Sequence, residues 1–284
     1  ETSIEIAEAA RAMRARLLPI DAPPGTVDVC GTGGDGHHTL NVSTAVSIVV
    51  ASTGVPVAKH GNRAASSKAG AADTLEVLGL DMHRAGLCAE ASLRDIGIAF
   101  LFAANHHPAM KRITPIRQRL GRRTIFNLMG PLANPAGVTR QLIGIARPDY
   151  AATCAAALEQ LGTEAALVVS GEEGLDELSS AGRSVAVSVG QVDLPGIITP
   201  EDAGLPRHPV TAIRGGDAAY NAAALRRLLQ GEAGPYRDAV LLNAAAALIV
   251  AGTSQSLSEG VEIARDAIDS GAANGLLDRW IAYS

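Results

Sequence analysis

Lysine is scarce in this 284-residue chain. Only Lys59, Lys68 and Lys111 occur, and the 24 basic side chains are outnumbered by 29 acids, for a net charge of −5. No run of five or six like charges exists, so wholesale binding to a nucleic-acid backbone is disfavoured. Cysteine is equally scarce, with Cys30, Cys88 and Cys154 far apart, odd in number and without a CxxC spacing. That fits reduced core thiols in a cytoplasmic protein better than a disulfide frame or a cysteine zinc site. The longest apolar stretch, Ala239 to Ala251, is interrupted by Asn243 and falls short of the ~18 residues of a membrane span, so no membrane partner is expected. The first twenty residues lack the charged start, apolar core and cleavage site of a signal peptide, and Glu1 in place of Met is expected of a trimmed start. There is no fixed-period repeat and no low-complexity linker.

Aromatic residues make up only 3%, but hydrophobic residues reach 47%, an ordinary globular composition that disfavours intrinsic disorder. The length allows one large domain, or a large and a small one. Residues 1 to 18 place Ile4, Ala7, Ala10, Met13 and Leu17 at helical spacing, with acids early and bases late. Val27 to Cys30 reads as a strand running into a glycine-rich loop, and a helix is expected from about Asn41 through a β-branched run that fits strand equally well. Val55 to Ala58 reads as a second strand, Lys59 to Ser67 as a polar loop, and Ala69 to Leu78 as a helix stopped by Gly79. Further strands are expected at 98–102, 141–146, 165–169 and 185–189, and tail helices at 218–230, 236–251 and 257–270. The alternation argues for an α/β sheet that is at least partly parallel.

Four constellations could carry chemistry. Gly31-Thr32-Gly33-Gly34-Asp35-Gly36 follows a strand, where amides free of side chains can close around phosphate oxygens. It matches neither the Walker loop nor the dinucleotide fingerprint, and a plain tight turn is the competing reading. Asn41-Val42-Ser43-Thr44 adds an N-cap and hydroxyls at a helix start, a second anion-friendly feature within fourteen residues. Lys59 to Lys68 gathers two Lys, an Arg, a His, an Asn and two Ser in an otherwise acidic protein, which favours polyanion binding over a solvated loop. Asp176-Glu177 is a carboxylate pair of the kind that Mg²⁺ shares with substrate phosphates, although Glu172 and Glu173 nearby make a solvated acidic loop the simpler reading of the pair alone. Finally, His106-His107 and His37-His38 lack a third ligand at metal-like spacing, which leaves no zinc site, and Arg117 is placed to clamp a small carboxylate or simply to lie on a helix surface.

Taken together, GTGGDG, NVST, KHGNRAASSKAGAAD, HHPAM, RTIFNLMGPLANP and GLDELS, in this order, closely resemble the anthranilate phosphoribosyltransferase family of tryptophan biosynthesis, from about residue 4 to the C-terminus. The KHGNR block is shared with pyrimidine nucleoside phosphorylases, but the glycine loop combined with Asp176-Glu177 and GPLANP points to the transferases. The resemblance implies an α/β protein like the nucleoside phosphorylases, with a large domain over residues 21–83 and 116–284 built on a central, mainly parallel sheet flanked by helices. A small all-helical domain is implied over residues 1–20 and 84–115, with the active site between the two. The implied reaction moves the phosphoribosyl group of 5-phosphoribosyl diphosphate (PRPP) to the amine of anthranilate.

Carried over position by position, the PRPP contacts implied by the resemblance are Gly31, Gly33, Gly34, Asp35, Thr39, Asn41, Val42, Ser43, Thr44, Lys59, His60, Gly61, Asn62, Arg63, Ala64, Ala65, Ser66, Ser67 and Ala71. The implied anthranilate contacts are Gly31, Asn62, His107, Arg117, Gly130 and Pro131, with His60 lining the same channel. Mg²⁺, in two ions of which one travels with PRPP, is implied at Ser43, Asp176 and Glu177, and the catalytic residues are expected to be Lys59, Asp176 and Glu177. Closure of the Lys59 loop and an interdomain hinge are expected to exclude water. The family carries a further helical segment upstream that helps form the small domain and a homodimer contact. It often has Ser where this chain has Ala71, and His where it has Ser170.

Overall fold

The computed structural model describes residues 1–64 and 68–284; the expected site residues Ala65, Ser66 and Ser67 lie outside the described residues. In chain order the regular elements are α1 (Ser3–Arg14), β1 (Val27–Gly31), α2 (Val42–Ser52), β2 (Val57–Gly61), α3 (Ala71–Leu78), α4 (Met82–Leu87), α5 (Ala89–Ile96) and β3 (Ile98–Phe102). There follow α6 (Ala103–His106), α7 (Met110–Leu120), α8 (Phe126–Leu132), β4 (Arg140–Gly144), α9 (Ala151–Gln160), β5 (Ala165–Gly171), β6 (Ser184–Gly190) and β7 (Ile197–Ile198). The chain ends in α10 (Ala218–Leu229), α11 (Pro235–Ala251), α12 (Leu257–Asp269) and α13 (Ala272–Tyr283).

One seven-stranded sheet runs in the order β3-β2-β1-β4-β5-β6-β7. Strands β3 through β5 are parallel, and β6 and β7 add antiparallel strands at one edge. The parallel strands are buried on both faces, so that even the polar Asp28, Lys59, His60 and Gln141 on them lie inside the protein. On one face, α2, α11 and α13 enclose the larger core, where Trp280 is 1% exposed. Helix α2 resolves the ambiguous β-branched run: residues Thr44 to Ala51 are all buried, so packing from every side outweighs its weak helix propensity. On the other face, α1, α8 and α9 cover a second cluster around Ile6, Met129, Ile143 and Leu158. Helix α1 begins at a Thr2/Glu5 capping box and ends with Arg11 and Arg14, of which Arg14 Nε donates to the Leu132 carbonyl at 2.7 Å.

The stretch 84–115 is not wholly helical. Ile98–Phe102 is the edge strand of the sheet, paired in register with Val57–Gly61, because its residues are too apolar to remain outside the core. The second strand also lies later than expected, at 57–61 rather than 55–58, which draws Lys59 and His60 out of the loop and into the sheet. Among the described residues no helix is long and apolar enough to cross a membrane.

Candidate active site

The strand order reverses at β1: β2 lies on one side of it, and the chain returns to its other side as β4. In open α/β sheets, ligands bind outside the carboxyl ends of the strands at such a reversal. Both strands end there in glycine, with Gly31 opposite Gly144. A β-carbon on Gly31 would run into the Asp176 side chain, and one on Gly144 into the Asp176 backbone. The two glycines therefore let the loop after β5 lie directly across the strand ends.

The loop from Thr32 to Asn41 is held open in an unusual backbone shape. Gly33, Gly34 and Gly36 have φ of +67°, +73° and +82°, where a side chain is strained. Gly33 N–H donates to Asp176 Oδ2 at 2.7 Å, Thr32 N–H to the Gly144 carbonyl at 2.9 Å, and Arg123 Nη2 to the Gly33 carbonyl at 3.0 Å. The glycine loop and the acidic loop thus form one unit. Asp35 accepts from His37 N–H at 3.1 Å and stays close enough to Asp176 to disfavour its ionisation.

Lys59 rises beneath this unit from inside the sheet. It is 2% exposed, and its Nζ donates to the Val29 carbonyl at 2.8 Å and to Ser43 Oγ at 3.1 Å at the start of α2. Burial presses its ammonium below the ordinary lysine value, against the opposing charges of Asp28, Cys30, Glu177 and Asp176. It is therefore a buried strand residue rather than part of a closing loop. Asp28 is fully buried; its Oδ1 accepts His60 N–H at 3.0 Å, and burial raises its pKa. His60 faces α8, with Nδ1 3.0 Å from the Gly130 carbonyl and Nε2 3.2 Å from His107 Nε2.

Burial pushes Asp176 up to about 7, with the Asp35 charge as the next cause. Glu177 is raised well above the usual range by burial and then by Asp176, while Ser43 N–H donates to it. By accessible surface both carboxylates are only half-buried, so water reaches them from the cleft although the surroundings are dense. Three clustered carboxylates over a single ammonium are short of positive charge, a deficit that a divalent cation with oxygen ligands would fill. Thr44 Oγ1, 1% exposed at the same helix start, has no partner among the described residues. No group of three His, Cys, Asp or Glu among the described residues could by itself hold a metal ion. The donor chemistry, carboxylate and hydroxyl oxygens, fits a hard divalent cation such as Mg²⁺.

The other expected residues divide into two groups. Thr39, Val42, Ser43 and Thr44 surround the glycine loop or begin α2, and Gly61 ends β2 under the Phe100 ring and Ala71. His107, Gly130 and Pro131 meet around His60 and α8, while Arg117 on α7 stacks its guanidinium 5.6 Å from the Phe126 ring and has its pKa lowered by burial. Asn41 is occupied internally: its Oδ1 accepts from Thr74 Oγ1 at 2.6 Å and Asn221 Nδ2 at 3.0 Å. Arg63 turns to Asp73 and Glu76 on α3, at 2.8 and 2.6 Å, and Asp73 also accepts the Ala64 and Gly70 amides. Asn62 remains exposed at the rim, its Oδ1 accepting Arg63 N–H at 2.9 Å. Sequence reasoning passed over Asp28, Arg123, Asn221 and Asn243. The only signal for these was a polar residue inside an apolar run at Asp28 and Asn243.

Known proteins resemble this arrangement throughout. The model of the glycosyl transferase family, a/b domain, matches residues 23–274. An anthranilate phosphoribosyltransferase of Novosphingobium aromaticivorans is 68% identical over 284 residues, covering 99% of this chain and 86% of that relative. The crystal structure of anthranilate phosphoribosyltransferase from Thermus thermophilus superposes with a TM-score of 0.92 at 47% identity, covering 100% of this chain and 85% of that one. The Saccharomyces cerevisiae enzyme in complex with PRPP and Mg superposes with a TM-score of 0.90 at 30% identity, covering 99% and 80%. The chain belongs to the glycosyl transferase family with the a/b domain and, within it, to the anthranilate phosphoribosyltransferases.

Proposed function

We propose that the cleft at the carboxyl ends of β1, β2 and β4 transfers the 5-phosphoribosyl group of PRPP to the amine of anthranilate, giving N-(5-phosphoribosyl)anthranilate and pyrophosphate. This is the second step of the tryptophan branch. The observation that carries the reading is the meeting of the glycine loop, Lys59, Ser43 and the Asp176-Glu177 pair at one topological switch point.

In the reaction the C1–O bond to pyrophosphate breaks, the C1–N bond to anthranilate forms, and the amine loses a proton. Negative charge builds on the leaving pyrophosphate, so the useful groups are those that stabilise it more than they stabilise bound PRPP. Lys59 supplies an ammonium already fixed by the Val29 carbonyl and Ser43. The amides of the glycine loop and the first turn of α2 supply donors and the positive end of a helix dipole. Ser43, Asp176 and Glu177 would hold Mg²⁺, one of two ions arriving on PRPP, and the chemistry supplied there would be neutralisation of diphosphate charge. On the other wall, Arg117 pairs with the anthranilate carboxylate, and His60, His107, Gly130 and Pro131 flank its ring. Anthranilate's aromatic amine is already nucleophilic, so positioning it is the main task.

The helical parts of residues 1–20 and 84–115 move against the body formed by residues 21–83, β3 and residues 116–284 to exclude water, in a homodimeric, cytoplasmic enzyme. Solution scattering with and without both substrates tests that movement; identical profiles would count against it. Loss of anthranilate fluorescence on adding PRPP, with and without Mg²⁺, tests the reaction. Rapid Mg²⁺-dependent loss that an Asp176→Asn, Glu177→Gln double variant lacks is expected, and a folded protein that binds PRPP without consuming anthranilate would overturn the reading.

A further inference from the structure

Asn243 is the one polar residue in the longest apolar stretch of the chain, and it is completely buried in the middle of α11. An amide in such a place is unfavourable unless every hydrogen bond is made. Here they are. Nδ2 donates to the Ala239 carbonyl one turn back at 2.9 Å and to the Leu178 carbonyl at 3.0 Å, while Oδ1 accepts Leu178 N–H at 2.9 Å. Its side chain thus pairs both backbone groups of a single residue in another segment, as a neighbouring strand would.

That residue directly follows Glu177. The same short loop is pressed on its other side against Gly31 and Gly144, which leave room for Asp176 only because they lack a β-carbon. Before the pair, the loop is closed by Gly171 N–H donating to the Leu175 carbonyl at 2.9 Å; after it, Ser179 N–H donates to Ser184 Oγ at 2.8 Å. Asn243 is the only described side chain that a hydrogen bond ties to the backbone of Leu178. A leucine or alanine here would suit the surrounding core and the helix better, so the amide earns its place through the loop it holds.

We propose that Asn243 is a positioning residue for the metal pair: by pairing both backbone groups of Leu178 it fixes the backbone at Glu177, so that Asp176 and Glu177 face the cleft as a preformed divalent-cation site. This rests on the reading of Asp176 and Glu177 as the Mg²⁺ ligands. Groups that orient ligands without touching the metal commonly govern its affinity by about 10- to 100-fold.

The test is Mn²⁺ binding in the presence of inorganic pyrophosphate, followed by the electron paramagnetic resonance of free Mn²⁺, on the whole chain and four variants. Asn243→Ala is expected to weaken Mn²⁺ binding about 10- to 100-fold and to raise the Mg²⁺ concentration for half-maximal activity in step. Asn243→Asp, which keeps the acceptor but loses both donors, is expected to weaken binding as well. Val240→Ala, equally buried on the same helix, is expected to lower the melting temperature and leave Mn²⁺ affinity unchanged. Glu177→Gln tests the underlying reading.

If Glu177→Gln loses Mn²⁺ while Asn243→Ala binds it like the wild type, the positioning role fails and the metal pair stands. If Glu177→Gln binds like the wild type, the metal pair itself fails and the role with it. Equal weakening in Asn243→Ala and Val240→Ala reduces Asn243 to a packing residue and overturns the proposal. Should Asn243→Ala not fold, Asn243→Ser carries the same comparison, since its hydroxyl keeps the site polar while being too short to pair both groups of Leu178.

Discussion

Gly144 and Asp176 are in direct backbone contact: a β-carbon on the glycine would overlap the aspartate's carbonyl. Gly144 has no positive φ, so its need for glycine comes from close approach and not from backbone conformation. Gly144→Ala therefore has to push the acidic loop off the strand ends. Overpacking of this kind costs about 1–3 kcal/mol of stability, and the displaced Asp176 is expected to cost more in activity than in folding. Chemical denaturation and Mg²⁺-dependent turnover measured together check this; a variant with wild-type activity would show that the loop does not need its present seat.

Lys59→Met is the direct test of the leaving-group role. The methionine follows the lysine stem but cannot donate to the Val29 carbonyl or Ser43 Oγ. Loss of a preorganised charge at the site of developing negative charge lowers turnover by roughly 10²- to 10³-fold. The expected signature is a fall in kcat with PRPP, with the KM for anthranilate little changed. A large rise in the anthranilate KM with kcat preserved would move Lys59 to the other substrate.

Four glycines in six residues after a strand marked a loop that could be an anion cradle or a plain tight turn, and β1 and β3 appeared where their apolar runs placed them. Lys59 and His60 were misread as a loop because polarity stands for exposure in any pattern argument. Here a buried ammonium is tolerated only through Val29, Ser43 and the acids around it, partners from distant parts of the chain. Asp176 and Glu177 carried weight only through the family resemblance, since neighbouring Glu172 and Glu173 make the same letters on an exposed loop. Strand β7, two residues long, and α13 were missed: the first is too short to show a period, and the second follows a glycine that already closes the preceding helix. Asn243 was visible as an interruption, but its partner lies 65 residues away.

Arg117 is half-buried over Phe126 and makes no ion pair among the described residues. A charged hydrogen-bond pair to a carboxylate is worth about 1.5–3 kcal/mol, so Arg117→Ala is expected to raise the KM for anthranilate roughly 10- to 100-fold. The KM for PRPP is expected to stay within about threefold, because the contacts proposed for PRPP lie on β1, α2 and β2. Steady-state kinetics with each substrate varied in turn decides it, and an equal rise in both constants would assign Arg117 a general structural part.

His60 makes the fold sensitive to acid in a way whose sign follows from its partners. The Gly130 carbonyl can only accept, so Nδ1 carries the proton and Nε2, 3.2 Å from His107 Nε2, is bare in the neutral ring. Burial first, and the neighbouring His107 second, depress the pKa to about 3 from an ordinary 6.5. A base depressed in the folded state stays neutral while the unfolded chain takes up a proton, so its contribution to stability is full above about 6.5 and is lost as pH falls toward 3. One such group sets a slope of up to about 1.4 kcal/mol per pH unit, or about 2 kcal/mol between pH 6.5 and 5. Asp176 acts in the opposite sense, because its raised pKa makes the folded state bind more protons than the unfolded one between about 4 and 7. The His60 share is therefore read as a difference. His60→Asn keeps a donor for the Gly130 carbonyl but cannot titrate, so it is expected to be less stable than wild type at pH 7.5 and to lose less stability on going to pH 5. Urea unfolding at the two pH values measures both. A variant that keeps the wild-type pH dependence, or a His60 ring proton that titrates with a midpoint above 5 by nuclear magnetic resonance, would show that the imidazole is not held neutral by its burial.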